Sequence, residues 1–167
     1  MAGENKAQGA VSFTPIVNVS GDPDADAIDV IHHDIKGSLG GDMVYSSTDA
    51  NDKWVYSTSR DITGTSADLI ANGTAFTDGL ATTTTTDHVK FLFLKNSGTT
   101  DGSTTTSAVV YINLDAGDAA SVGDVIEIGA GEAFQCKFKD GLDAADIHVA
   151  TSTGTVRCTL AAILDDV

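Results

Sequence analysis

The chain has 167 residues and carries 24 Asp and Glu against 9 Lys and Arg, for a formal net charge of −15. Binding to a phosphate backbone or to an anionic membrane surface depends on Lys and Arg, so this balance argues against nucleic acid and membranes as partners. The length fits one domain, and 21 Thr, 13 Ser and 17 Gly favour strands and turns over a helix bundle.

The first ten residues are small or polar, and we expect residues 1–10 to form an N-terminal arm ahead of a single β-sandwich domain at residues 11–167. No apolar run of the kind that marks a secretory signal follows Met1. No apolar stretch nears the ~20 residues that cross a bilayer. These features predict a soluble protein that is made in a cytoplasm.

Residues 11–20 are predicted as a first strand, and residues 23–36 carry several helix signals. Asp22 can cap a helix, Pro23 suits its first position and Gly37 can end it. The alternation around Ile28 is instead typical of a strand, so both structures stay open. We predict a short helix here.

Beyond Gly41, short apolar stretches alternate with turns rich in Gly, Asp, Asn and Ser. Eight stretches are predicted as strands, at residues 43–46, 53–59, 88–96, 107–115, 124–128, 133–139, 147–150 and 155–164. Residues 67–71, which an Asn-Gly pair follows, are predicted as one helical turn. The spacing favours an all-β fold: an antiparallel β sandwich, jelly-roll-like, with one or two short helices.

Two cysteines occur, Cys136 and Cys158, without CxxC spacing and with no His or Cys at zinc-finger distance. Each falls on the apolar side of a predicted strand. We interpret them as buried free thiols that act as small hydrophobes. A disulfide between neighbouring strands and a reactive thiol are the alternatives.

Three acids, Asp22, Asp24 and Asp26, have the spacing of a calcium loop. That loop requires Gly at its sixth place and Glu at its twelfth, where this chain has Ala27 and His33. We interpret the acids as helix-capping residues, with a calcium site as the alternative. The four histidines form no HxH or HExxH motif, so no metal site is predicted.

Motifs for catalysis are absent from the sequence. There is no GxSxG nucleophile elbow, no GK[ST] phosphate loop, and residues 129–132 lack the third glycine of a dinucleotide loop. We interpret residues 129–132 as a tight turn between two strands. The sequence therefore predicts a protein that is not an enzyme, with no catalytic residue and no cofactor.

Trp54 and Tyr56 lie two residues apart on one predicted strand and so share a face. Aromatic side chains on a strand usually belong to a core or a subunit interface, and we interpret this pair in that way. A flat platform for a sugar ring is the alternative.

The C-terminal half carries a recognisable order of segments, at residues 91–98, 109–115, 125–134, 146–150 and 155–164. A glycine-acid-aromatic turn (Gly131, Glu132, Phe134) leads towards a hydrophobic, alternating last strand. This order resembles small β-sandwich structural proteins of tailed bacterial and archaeal viruses. The resemblance covers residues 88–164, about half of the chain.

The resemblance implies a virion structural protein of the capsid decoration or cement type, made in the host cytoplasm and located in the virion. Its partners would be the major capsid protein or other virion subunits, and it would form a homo-oligomer, with a trimer favoured. The motifs are not catalytic, so the resemblance assigns no functional residue. A carbohydrate- or receptor-binding module is the alternative.

Overall fold

The computed structural model describes residues 5–11, 16–17, 29–30, 41–47, 53–71, 87–120 and 123–165. The chain divides into two compact units, Met1–Ser46 and Ser47–Val167. Strands β1 (Asn5–Val11) and β4 (Gly41–Ser47) pair with each other in a two-stranded sheet. Residues 5–10 of the predicted arm therefore lie in a strand.

The predicted helix over residues 23–36 is wrong where it can be compared with the structure. Strand β3 (Asp29–Val30) pairs antiparallel with β2 (Ile16–Val17). The β-branched residues alternate as in a strand, and this pattern outweighs the capping signals at Asp22 and Pro23. The other residues of the predicted helix lie outside the described part of the chain.

The described residues of the second unit form eight strands and confirm the predicted antiparallel β sandwich. They are β5 (Lys53–Ile62), β6 (Ala67–Asp68), β7 (His88–Thr99), β8 (Val110–Asn113), β9 (Ile126–Ile128), β10 (Ala133–Asp143), β11 (His148–Thr151) and β12 (Val156–Asp165). The predicted helical turn at residues 67–71 is wrong, because β6 pairs there with β11. One 3₁₀ turn, Ala144–Asp146, is the helical element among the described residues.

The strands follow the winding order of a jelly roll. Sheet I has the order β10-β7-β12-β5 and sheet II has the order β6-β11-β8-β9. The first strand of the eight pairs with the last, the second with the seventh, the third with the sixth and the fourth with the fifth. The unit is thus one long antiparallel hairpin, rolled so that successive pairs fall in opposite sheets.

Alternating side chains build the core between the two sheets. On β12 the inward side chains Val156, Cys158, Leu160, Ala162 and Leu164 are all fully buried. Burial of an aliphatic side chain of this kind stabilises the fold by roughly 1.5–3 kcal/mol. Because the side-chain period of a strand is two, this pattern also fixes the register of β12 against both neighbours.

Both cysteines are free, as predicted, and the disulfide alternative is wrong. Cys136 lies on β10 and Cys158 on β12, with β7 between them. Two strand spacings alone amount to about 9.5 Å, beyond the ~7 Å that a disulfide can bridge between Cα atoms. The registers add a further offset along β7, because Cys136 lies opposite Leu92 and Cys158 lies opposite Asn96. Cys158 is buried as predicted, whereas Cys136 is only half-buried.

A buried asparagine joins the two sheets. Asn96 of β7 is 0% exposed. Its Nδ2 donates to the carbonyl oxygens of Ala108 (3.0 Å) and Ile128 (3.1 Å), which belong to the sheet II side. Its Oδ1 accepts from the Gly98 N–H at 2.8 Å. The amide therefore uses both donors and its acceptor across the sandwich.

Asn96→Ala is expected to lower the free energy of unfolding by about 2–4 kcal/mol, because it leaves two buried carbonyls and one N–H without partners. Asn96→Asp should be at least as damaging, since a carboxylate has the same shape but cannot donate. Urea denaturation measures both. Asn113→Ala is the control, because that buried amide accepts one local bond, from Asp115 N–H at 2.8 Å. Equal losses at the two positions would contradict the special role of Asn96.

The thiols predict a loss of stability at alkaline pH. Burial raises the pKa of Cys158 to about 12 and that of Cys136 to about 11, from 9.0 in an exposed thiol. Unfolded thiols therefore ionise first, and stability is complete below pH 9.0 and falls as pH rises towards the folded values. Denaturant melts of the native chain and of Cys136→Ala/Cys158→Ala isolate this effect. If both proteins lose stability equally between these pH values, the prediction is wrong.

Candidate functional site

A cleft of ≈ 590 Å³ opens at one end of sheet II. Residues 64–68 of the β5–β6 connection and β6 form one wall. Ala116, Asp118 and Ala120 of the β8–β9 connection form the opposite wall, and His148 of β11 lies between them. Side chains of four chemical kinds line it: carboxylate, hydroxyl, imidazole and methyl.

Hydrogen bonds between distant segments of the chain hold the walls of the cleft in place. Strand β6 has two residues, and Asp68 lies opposite His148 in its register. The Leu69 N–H extends this attachment by donating to Ile147 O at 2.8 Å. Across the cleft, the Ala119 N–H donates to Ser66 Oγ at 2.9 Å. The cleft thus depends on a weakly attached edge strand and on one loop.

His148 connects both walls through its ring. Nδ1 lies 2.9 Å from Gly117 O, and Nε2 lies 3.1 Å from Asp68 Oδ1. Both partners are acceptors, so each contact needs an N–H on the ring nitrogen that makes it. The two contacts hold the imidazole between the two walls of the cleft.

The loop beside His148 has a constrained backbone. Ala116 has a φ of 61°, in the left-handed region that an alanine rarely adopts. At Gly117, an added Cβ would lie 2.8 Å from Asn113 Nδ2 and 2.9 Å from Asp115 Oδ1. A side chain there would force these two side chains to move, and the Gly117 carbonyl is the one that faces His148.

Arg60 lies behind the cleft, on the inward side of β5. Its Nη2 donates to Asp68 O at 3.0 Å, while its Nε is buried without a partner. Burial lowers the pKa of this guanidinium from its ordinary value. The carboxylate of Asp68 faces His148, and the backbone carbonyl of Asp68 faces Arg60. The side chains of His148 and Arg60 therefore both hold the edge strand β6 in place.

A second polar region is the loop after β7. Asp101 accepts hydrogen bonds from the N–H and hydroxyl groups of Thr104 and Ser103, which hold its pKa well below the usual range. Arg157 forms a two-point ion pair with Asp61, at 2.9 and 3.1 Å, and donates to Asp101 O at 2.5 Å. The loop is thereby fixed although its residues 101–105 are exposed.

The structure separates several residues that the sequence singled out. His88 pairs with Asp143 at 2.8 Å and does not line the cleft, where His148 lies. Tyr56 is 37% exposed on sheet I and does not line the cleft. The side chain of Trp54 lies outside the described residues, as do Asp22, Asp24 and Asp26 and the pair His32 and His33.

The turn at residues 129–132 is confirmed. The Glu132 N–H donates to Gly129 O at 3.0 Å, and Glu132 Oε2 accepts from the Gly129 N–H at 2.7 Å. Gly131 has a φ of 85°, which suits glycine. In the described part of the chain, no three His, Cys, Asp or Glu side chains are placed to hold a metal ion.

The contact between His148 and Asp68 has no signal in the sequence. The two residues are far apart along the chain and belong to no motif. They meet because the winding of the jelly roll pairs β6 with β11. Only knowledge of that pairing could have predicted the cleft.

Comparison with protein-family models, with curated proteins and with solved structures yields no match for this chain. Across the described residues, no helix has the length and apolar character needed to cross a membrane.

Asp68→Ala is expected to loosen β6. It removes the carboxylate that faces His148, a pair whose side chains are 23% and 34% exposed, so the loss should be only about 1 kcal/mol. The sharper readout is hydrogen exchange, which should accelerate at the amides of Leu69 and Ala119. Asp124→Ala, at an exposed acid of the β8–β9 connection, is the control. Unchanged exchange in Asp68→Ala would show that the ion pair does not fix the strand.

Proposed function

We propose that this chain is a non-enzymatic structural protein of a virus particle, of the capsid decoration or cement type. It stabilises the shell through contacts with the major capsid protein or another virion subunit. It does so as a homo-oligomer, with a trimer favoured, and without nucleic acid or membrane partners. It is made in the host cytoplasm and is located in the virion.

The observation that carries the proposal is the complete jelly-roll winding of eight strands in two four-stranded sheets. Viral capsid domains and lectin domains share this architecture. A fold alone does not decide a function. The resemblance of residues 88–164 to virion structural proteins supports the first of these two classes.

The reactive groups of the described residues also support a role through contacts. Both ring nitrogens of His148 face acceptors, and burial keeps the thiols of Cys136 and Cys158 protonated well above neutral pH. An enzyme that uses a nucleophile needs the opposite arrangement. Either the pKa of the nucleophile is lowered, or an adjacent base is free to accept its proton.

The mechanism is the summed energy of repeated interfaces. A standard protein interface buries about 1,600 Å² in total. Copies arranged about a symmetry axis of a shell bind several sites at once, which multiplies weak contacts into a stable attachment. The rigid loop around Asp101 fits such a role, because an ordered surface loses little conformational entropy on binding.

A carbohydrate-binding module is the second candidate, and the cleft at His148 is the observation that favours it. Its volume of ≈ 590 Å³ lies within the range of small-molecule sites. Carboxylates and hydroxyls such as those of Asp118, Thr65 and Ser66 can bind sugar hydroxyls. No described aromatic side chain lines the cleft, which weakens this candidate.

Purified protein mixed with shells that lack it is expected to co-sediment with them to a saturating, symmetric stoichiometry and to raise their resistance to heat. Deletion of residues 1–10 should reduce this binding if the N-terminal segment takes part, with circular dichroism as a check that the variant still folds. A glycan array with native protein and Asp118→Ala tests the second candidate. Binding to glycans that Asp118→Ala abolishes, together with no binding to any virion component, would replace the first proposal with the second.

A further inference from the structure

The two walls of the cleft meet at the ring of His148, and each wall presents an acceptor to it. Nδ1 lies 2.9 Å from Gly117 O in the β8–β9 connection, and Nε2 lies 3.1 Å from Asp68 Oδ1 on β6. A neutral imidazole carries one N–H and one lone pair, whereas the imidazolium carries two N–H groups. Either tautomer of the neutral ring therefore satisfies the acceptor of one wall and turns a lone pair towards the acceptor of the other.

The acceptor of the loop wall is held in place by bonds that do not involve His148. The Ala116 N–H donates to Asp146 O at 2.9 Å, and the Gly117 N–H donates to Asp115 Oδ1 at 3.2 Å. These bonds hold the two residues that lead into the carbonyl facing Nδ1. The loop itself, rather than the ring, therefore places this acceptor.

The acceptor of the strand wall belongs to a two-residue strand at the edge of sheet II. The Leu69 N–H donates to Ile147 O at 2.8 Å, and Arg60 Nη2 donates to Asp68 O at 3.0 Å. Both contacts act on the backbone at β6, whereas the carboxylate of Asp68 is directed at His148. The side-chain contact adds to a weak attachment, so its loss changes how firmly β6 is held.

The titratable groups on the elements around the ring are four carboxylates and one guanidinium: Asp68 on β6, Asp115 and Asp118 in the β8–β9 connection, Asp146 in the 3₁₀ turn and Arg60 on β5. Asp68 and Asp118 line the cleft together with His148, and Asn113, which lies opposite His148 on β8, is uncharged. Carboxylates and guanidinium groups ordinarily keep their charge between about pH 5 and about pH 8, whereas histidine ordinarily gains or loses a proton there. A change of charge at the cleft in this range is therefore expected at His148.

We infer that His148 is a pH-dependent latch between the two walls of the cleft. With both nitrogens protonated, the ring donates to Gly117 O and to Asp68 Oδ1 and so joins the β8–β9 connection to β6. Loss of one proton releases one wall, and the bond from the Ala119 N–H to Ser66 Oγ, at 2.9 Å, is left to hold the walls with one bridge fewer. The walls are thus held more firmly at acidic than at alkaline pH. This latch is independent of the proposed function, because it concerns the cleft and not a contact with another subunit.

The chemistry of the acceptor on β6 gives the latch a specific consequence. An ionised carboxylate only accepts hydrogen bonds, whereas an amide in its place also donates them. In Asp68→Asn the neutral ring donates from Nδ1 to Gly117 O and accepts at Nε2 from the new amide, so both walls stay joined without the second proton. A simple ion pair predicts the opposite, since this substitution removes the charge on which the pair depends.

The test is hydrogen exchange of the full chain between about pH 5.5 and about pH 8, where histidine ordinarily titrates, with rates corrected for the intrinsic effect of pH. The reporters are the amides of Leu69, which donates to Ile147 O, and Ala119, which donates to Ser66 Oγ. In the native chain, the protection of at least one of them is expected to fall by about two- to fivefold as the pH rises, on the scale of a partly exposed ion pair. In Asp68→Asn, the protection of both amides is expected to stay constant over the same range.

His88→Gln is the matched control, because it removes the other histidine of the described residues, which pairs with Asp143 at 2.8 Å and does not line the cleft. It should keep the native pH dependence at both amides, and circular dichroism checks that all variants fold. The latch is overturned if native protection is the same across the range, or if Asp68→Asn loses protection as the native chain does. A pH dependence that persists in His148→Gln would also overturn it, since that variant has no ring to titrate. Each of these outcomes leaves the proposed function standing.

Discussion

The two sheets of this sandwich are held in register by one buried amide. Apolar packing is not directional, so it brings the sheets together without fixing how they align. Asn96 adds that direction, because from a strand of sheet I its Nδ2 donates to Ile128 O of sheet II and to Ala108 O in the segment that leads into β8. The backbone of Asn96 also binds the turn that starts β10, accepting from Gly131 N–H and donating to Glu132 O, both at 3.0 Å. A partly satisfied amide at this depth would destabilise the core, so its complete bonding specifies one arrangement.

Much of the fold could be predicted from the sequence, because its strands bury alternate residues. In β12 the inward positions are apolar over ten residues, and the predicted strand at 155–164 differs from Val156–Asp165 by one residue at each end. The failures occurred where the local signal was short. Strand β6 has two residues, and its structure depends on pairing with β11 rather than on its own propensity. At β3 the capping residues Asp22 and Pro23 favour a helix, but strand pairing determines the backbone of Asp29–Val30.

The candidate site was harder to predict than the fold, because the winding of the strands brings distant segments of the chain together. In a jelly roll the second strand meets the seventh, so the residues of the cleft come from three distant parts of the chain. Asp68, Gly117 and His148 share no motif and no spacing. What the sequence does contain is the set of loop residues that such a site needs, such as Gly117, where a side chain would collide with Asn113. Without the strand pairing, that glycine could not be distinguished from the others in the chain.

The lysines of sheet I also bear on which contacts between copies are possible. β10 is an eleven-residue strand at the edge of its sheet, and such edges invite open-ended pairing with other chains. Lys137 and Lys139 lie on this strand, and its pairing with β7 shifts register between Lys137 and Leu142. Charged residues and irregular register both oppose edge-to-edge growth. The arrangement therefore disfavours fibre-like growth of copies along the edge of sheet I.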